Sequence, residues 1–256
     1  MRATVNLVRS PYHMGGTSRL RSSMNRLTDS DKSTWGRSET TGMQDFLRRN
    51  HFLLRRLHSL TGIVPVGGFL LFHLWENSKA LHGAEAYNET ILSINTMPYV
   101  ILLEIFAILL PLYFHSIYGI YIAADAKHNL SNYSYGRNWA FFLQRFTGLI
   151  TLVFVTYHIW HFRVAKLLGA YETGTAMPGL PDFNVVANAF ANNWIALIYA
   201  IGIIASAYHL ANGIYTFLIT WGITIGAKSQ RISNLATNAA FVLISAMGLT
   251  ALFAFR

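Results

Sequence analysis

Five long apolar runs, near residues 57–77, 98–123, 140–162, 194–219 and 234–254, constrain this chain more than any other feature. Each can cross a hydrocarbon layer of about 30 Å, which takes about 20 residues at 1.5 Å per residue. Backbone polar groups in lipid must be satisfied within the segment, so runs of this kind fold as helices. The expected fold class is all-α, an integral membrane bundle of five transmembrane helices. Composition agrees, since 53% hydrophobic and 12% charged residues leave too few charges to cover an ordinary globular domain of 256 residues.

Polar and Gly/Pro-bearing stretches separate the runs: KALHGAEAYNET, AKHNLSNYSYGRN, GTAMPGLPDFN and GAKSQRIS. Ahead of them, residues 1–45 are rich in Arg and Ser with no sustained apolar period and read as a polar, basic, mobile cytoplasmic tail, leaving 46–256 as the five-span domain. The first 28 residues contain Arg2, Arg9, Arg19, Arg21 and Arg26 and no acid, a composition like an organelle transit peptide. A cytoplasmic tail, or a true start near Met43, explains the same charges through the positive-inside bias and is the preferred reading.

The formal net charge of +9 does not mark a nucleic-acid binder, because the basic residues gather at span ends and not in a stripe with interleaved aromatics. Arg48, Arg49, Arg55, Arg56, Lys127, Arg137, Lys228 and Arg231 fall on one side. On the other, Lys79, Arg163 and Lys166 are diluted by Glu85, Glu89, Glu172 and Asp182. The N-terminus is therefore expected in the cytoplasm and the C-terminus outside, in a bacterial cytoplasmic membrane. Trp75, Trp139, Trp160, Trp194 and Trp221 lie near predicted span ends, at headgroup level.

Ten histidines and no cysteine mean that a metal here is held by nitrogen or oxygen, not by thiolates. Four histidines fall inside the first four spans: His73, His115, His158 and His209. By helical rise, His73 and His158 sit roughly 7 Å below the outer edge, and His115 and His209 roughly 24 Å below it. Two imidazoles level on different helices can ligate one haem iron from both sides, and two such levels stack two haems across the bilayer. A proton or metal pathway lined by histidine, as in a transporter, is the other reading; apart from histidine, Glu104 and Arg145 are the clearest ionisable residues in the spans, without an evident partner at equal depth. Gly119 and Gly213, four residues after His115 and His209, leave room on those faces for a flat macrocycle or a close helix, and Gly62 lies on the face of His73. His58 falls at the inner edge, within reach of a haem propionate. His161 is the reserve ligand, while His13, His51, His82 and His128 lie in polar segments and carry no signal. Nucleotide-binding, serine-hydrolase and zinc-protease motifs are all missing, so a redox role requires soluble partner subunits.

In order along the chain, RRLHSLTGIVPVG, FLLFHLWEN, HGAEAYN, PLYFHSIYGIYIAADAKHN, YSYGRNWAFFLQRFTGLITLVFVTYHIW, HLANGIYTFLITWGIT and KSQRIS resemble the membrane-anchor cytochrome b subunits of succinate:quinone oxidoreductases, in the class with one five-helix anchor and two b haems. The resemblance runs from about Phe46 to Arg256. It implies His115 and His209 as ligands of the inner haem iron and His73 and His158 as ligands of the outer one. It also implies a complex with a flavoprotein and an iron–sulfur subunit, which carry the flavin and clusters, and leaves room for a higher oligomer of the whole. Electrons from succinate would pass through both haems to a quinone, commonly menaquinone; fumarate reductases share the architecture. His58, Arg55, Arg56, Arg145 and Lys228 are candidate propionate partners, each equally suited to positive-inside anchoring. Quinone reduction takes up protons, and Glu85, with Glu76 and Glu89 nearby, is the candidate group for that step. A cytochrome b anchor of another quinone-linked dehydrogenase would share the haem spectrum.

Overall fold

The computed structural model describes residues 42–126, 130, 132–171 and 177–256. The basic tail expected over 1–45 thus lies largely outside the described residues, as do Lys127 and His128. Among the described residues there is no strand, and the helices in chain order are α1 (Gly42–Arg49), α2 (His51–His82), α3 (Ala84–Asn95), α4 (Val100–Ala124), α5 (Gly136–Leu167), α6 (Phe183–Phe190), α7 (Asn193–Thr220) and α8 (Ala227–Ala254). Five of them, α2, α4, α5, α7 and α8, are long and apolar enough to cross a membrane. The chain is a multi-pass membrane protein.

Two compact units divide the chain at His51. In the first, α1 carries Asp45 in its first turn and Arg48 and Arg49 in its last, charges placed to complement the helix dipole. The second, Phe52–Arg256, is the bundle.

The long helices outrun the predicted spans at several ends. α2 has 32 residues, about 48 Å at 1.5 Å each, so Arg55, Arg56 and His58 are helical. Likewise α5 reaches Leu167 and includes Arg163, and α8 begins at Ala227 and includes Lys228 and Arg231. Hydropathy reports only the part of a helix that lies in hydrocarbon; backbone pairing continues into the polar layer.

Three of these helices change their winding. π-helical segments occupy Gly62–Gly67 in α2, Glu104–Leu109 in α4 and Ile159–Val164 in α5. Pro65 lies inside the first and Pro111 follows the second by two residues. A proline has no N–H to give the preceding turn and its ring pushes on that turn's carbonyl, so local rewinding accommodates both.

At the centre, α7 touches α2, α5, α6 and α8. Close approach is built on glycine: a Cβ on Gly202 would lie 2.2 Å from the Phe154 ring of α5, and one on Gly248 of α8 would lie 2.6 Å from Ile203. Helix α4 leans on α2 and α5 and turns most of its surface outward. The short helices α3 and α6 close one end of the bundle. Asp182 caps α6 by accepting from Val185 N at 2.9 Å, and Asn88 of α3 accepts from Phe183 N at 2.8 Å. Tyr87, Phe190, Tyr199 and Phe255 are buried together beneath them.

Candidate functional site

Two pairs of imidazoles stand between the helices. The rings of His115 (α4) and His209 (α7) have centroids 6.1 Å apart and lie nearly perpendicular, at 84°. Those of His73 (α2) and His158 (α5) are 5.6 Å apart at 69°. The structure therefore brings together the residues that the depth count placed at equal level. The second pair is at the α3/α6 end, the first toward the opposite end.

Hydrogen bonds orient these rings. His115 Nδ1 lies 2.9 Å from the carbonyl oxygen of His58, and His209 Nδ1 lies 2.9 Å from that of Gln144. A carbonyl oxygen only accepts, so each Nδ1 carries the proton toward it and each Nε2 keeps its lone pair; the Gln144 amide nitrogen, 3.2 Å from His209 Nδ1, has the His209 carbonyl at 3.1 Å to donate to. In the other pair the neighbours are side chains. His158 Nδ1 is 3.3 Å from the Tyr199 hydroxyl, whereas the His73 ring has the Asn77 amide nitrogen 3.3–3.4 Å away and Glu76 Oε2 at 3.7 Å from Nδ1, an ionic contact beyond hydrogen-bond distance. His161 shares the Tyr199 hydroxyl at 3.2 Å, and its ring stacks on Phe162 at 4.5 Å. It thus stands behind the paired rings.

Glycines seat the inner rings, but not as helical spacing suggested. A Cβ on Gly62 would lie 2.3 Å from Cε1 of His115, and one on Gly148 would lie 2.8 Å from Cε1 of His209. Gly62 therefore serves a ring on the neighbouring helix and not His73. The π-helical segment Gly62–Gly67 between the two positions breaks the 3.6-residue count on which the expectation rested. Gly119 faces His58, whose Cε1 a Cβ would meet at 3.1 Å, and Gly213 faces Gln144. Gly148 carried no sequence signal, because its partner is 61 residues away along the chain.

Of the basic candidates, His58 lies flat on His115, with centroids 4.0 Å apart and planes 7° from parallel. Arg56 packs its guanidinium over Phe52 and Trp221, and Arg145 lies over Phe141 at 3.3 Å. Arg55 is exposed and close enough to Arg145 for their charges to interact. Lys228 is exposed on the first turn of α8. Two guanidinium donors in this region, Arg56 Nε and Arg145 Nη1, and one ring nitrogen, His58 Nδ1, are buried without a hydrogen-bond partner. Buried unpaired donors of this kind are matched by an anionic group.

The acids separate sharply. Glu85 is exposed on the first turn of α3 and Glu89 is exposed further along it, whereas Glu76 is buried at 8% exposure beside His73. Glu104, expected to lack a partner, forms an ion pair with Arg163 of α5. The pairing arises because α5 stays helical beyond the predicted span end and carries Arg163 alongside α4. Next to it, Lys166 donates to Asn95 Oδ1 at 2.5 Å. Outside the spans, burial first, then the negative charges of Glu76 and Asp182, push the Tyr87 hydroxyl above the ordinary phenol range.

Among the described residues no group of three or more His, Cys, Asp or Glu could hold a metal ion. A haem iron needs only two protein ligands, the porphyrin supplying the other four. Ring separations of 5.6 and 6.1 Å suit one metal held from both sides at about 2 Å per nitrogen. With the tautomers fixed in the inner pair and orphaned cationic donors next to it, the donor set fits a bis-imidazole haem with acidic side arms.

Comparison with known proteins points the same way. The family described as succinate dehydrogenase/fumarate reductase transmembrane subunit matches residues 126–249. The succinate dehydrogenase cytochrome b558 subunit of Bacillus subtilis (strain 168) is 45% identical over 204 residues, covering 80% of this chain and 96% of that protein. An all-helical, five-span bundle with paired histidines, sharing this degree of identity over nearly the full length of such a subunit, belongs to the family of cytochrome b subunits that form the membrane anchor of succinate dehydrogenases and fumarate reductases.

Proposed function

We propose that this chain is the di-haem anchor of a succinate:quinone oxidoreductase, passing electrons from a flavoprotein and iron–sulfur pair across the bilayer to a quinone, commonly menaquinone in this class. The observation that carries the reading is the double pairing of imidazoles, His115 with His209 and His73 with His158, at separations of 6.1 and 5.6 Å. Each pair would hold one haem b, and the bound group would supply one-electron transfer.

The chain's own residues hold and orient the groups. Carbonyls of His58 and Gln144 fix the inner imidazoles, and Gly62 and Gly148 admit them. Arg56 and Arg145 would offer their orphaned donors to the inner haem's propionates, as would His58 when Nδ1 carries its proton, with Arg55 adding positive charge nearby. Lys228, exposed at the start of α8, suits the interfacial anchoring role. The N-terminus faces the cytoplasm, where the soluble subunits dock, and the α3/α6 end faces outward. Quinone takes its protons at that outer end; Glu85, exposed on α3, can draw them from water, and buried Glu76 lies nearer the histidines.

A reduced-minus-oxidised optical spectrum with pyridine haemochrome quantification tests this. The expected result is about two low-spin haem b per chain, unreactive towards carbon monoxide and reduced on adding succinate to the assembled complex. Protein from a haem-replete host that contains no haem would contradict it. Haem that succinate leaves oxidised would contradict the proposed electron path from succinate.

A further inference from the structure

We infer that Glu76 is a positioning residue for His73, and that its carboxylate makes the outer histidine pair more electron-donating than the inner one. The inference rests on the di-haem reading above and concerns what distinguishes its two sites.

Three of the four paired rings direct Nδ1 to a neutral oxygen: the carbonyls of His58 and Gln144 and the hydroxyl of Tyr199. His73 alone faces a carboxylate, with Glu76 Oε2 at 3.7 Å from Nδ1. The two residues are three apart on α2, so they share a helix face. Asn77, the other polar neighbour of the ring, donates to the His73 carbonyl at 2.7 Å, and its amide nitrogen also lies within hydrogen-bond distance of the ring, 3.4 Å from Nδ1 and 3.3 Å from Nε2.

Glu76 is 8% exposed, and among the described residues its only ion-pair partner is His73. Among the described residues no arginine or lysine forms an ion pair with this carboxylate, so His73 is the group it faces. A buried carboxylate is costly without a polar partner, and the His73 imidazole, an electrostatic contact at 3.7 Å and not a hydrogen bond, is the partner at hand. A carboxylate behind a ligating histidine holds the ring's orientation and raises the basicity of its other nitrogen. A more basic axial ligand favours ferric over ferrous iron, which lowers the potential of the haem that it binds. The inner pair, supported by main-chain carbonyls, has no equivalent charge.

The test is a potentiometric titration of both haems in the assembled complex bearing Glu76→Gln, which keeps the shape and removes the charge. The component that disappears in His73→Ala is expected to become easier to reduce, with about a tenfold higher reduced-to-oxidised ratio at a fixed potential, or about 59 mV for one electron. The other component should stay in place, and Glu76→Asp, which keeps the charge, should retain the wild-type value. If Glu76→Gln fails to hold its haem, Glu76→Asp is read alone and must hold it at the wild-type potential. Two haems with unchanged potentials in Glu76→Gln, an equal shift of both, or an Asp variant that moves as far as the Gln variant would each overturn the inference. Absence of haem from the wild type would instead remove the di-haem reading itself.

Discussion

Backbone carbonyls hold the inner imidazoles and side chains hold the outer ones, so the two pairs respond to different substitutions. At the inner pair the glycine seats are the sensitive positions. A methyl group on Gly62 would press on Cε1 of His115 at 2.3 Å, so Gly62→Ala is expected to displace that ring and cost about 1–3 kcal/mol of overpacking strain. Haemochrome analysis should then show one haem lost and one kept, the same loss as in His115→Ala; two intact haems would show that the ring has another place to go. At the outer pair the shared hydroxyl is the sensitive group. Tyr199→Phe removes the partner of His158 and His161 while leaving the aromatic packing, and should broaden or shift the outer haem's spectrum alone. The adjacency of the four histidines was legible in the sequence because a depth count needs only helical rise. Their supports were not: His58 O, Gln144 O and Tyr199 OH lie 57, 65 and 41 residues from the rings they orient, distances that no local period reports.

Between helices, a few polar contacts fix how the spans meet. Glu104 on α4 and Arg163 on α5 pair with side chains 28% and 29% exposed. An exposed ion pair contributes about 0–1 kcal/mol and breaking a buried one costs about 3–5. Glu104→Gln should therefore fall between, about 1–3 kcal/mol, in thermal unfolding of the detergent-solubilised protein. The double variant Glu104→Gln/Arg163→Gln should be milder than the sum of the singles, because neither charge is then left alone; strict additivity would mean that the pair does not couple. On α3, Tyr87 keeps its proton above the ordinary phenol range through burial and the charges of Glu76 and Asp182. The unfolded chain releases that proton near pH 10, so between that pH and the folded value the unfolded state binds fewer protons and stability falls as pH rises. Tyr87→Phe should move the alkaline unfolding midpoint upward, as read by loss of helical circular dichroism; coincident midpoints would contradict this. The long apolar runs announced five spans, but their ends did not show in hydropathy. Arg163 looked like a loop charge and proved to be helical, and the π-helical segments around Pro65 and before Pro111 shifted the faces that a regular count predicts.

For the molecule as a whole, a central α7 carries His209 and Tyr199, one group for each pair, and touches α2 and α5, which bear His73 and His158. This puts both pairs in one compact bundle. The architecture was open to sequence reading because lipid admits so few folds for such runs. The charge asymmetry between the two ends gave the proposed orientation, and the ordered motifs gave the family. What escaped was the selection among acids: Glu85 and Glu76 look alike in a sequence, and only packing of α3 and α6 over the bundle end buries one and exposes the other.

The central claim is that four histidines form two ligand pairs, and haem stoichiometry in the four single variants tests it most directly. His115→Ala and His209→Ala should each retain about one haem b, of the same spectrum and potential in both; His73→Ala and His158→Ala should each retain the other. If variants within a pair lose different haems, or any of the four retains both, the pairing is wrong.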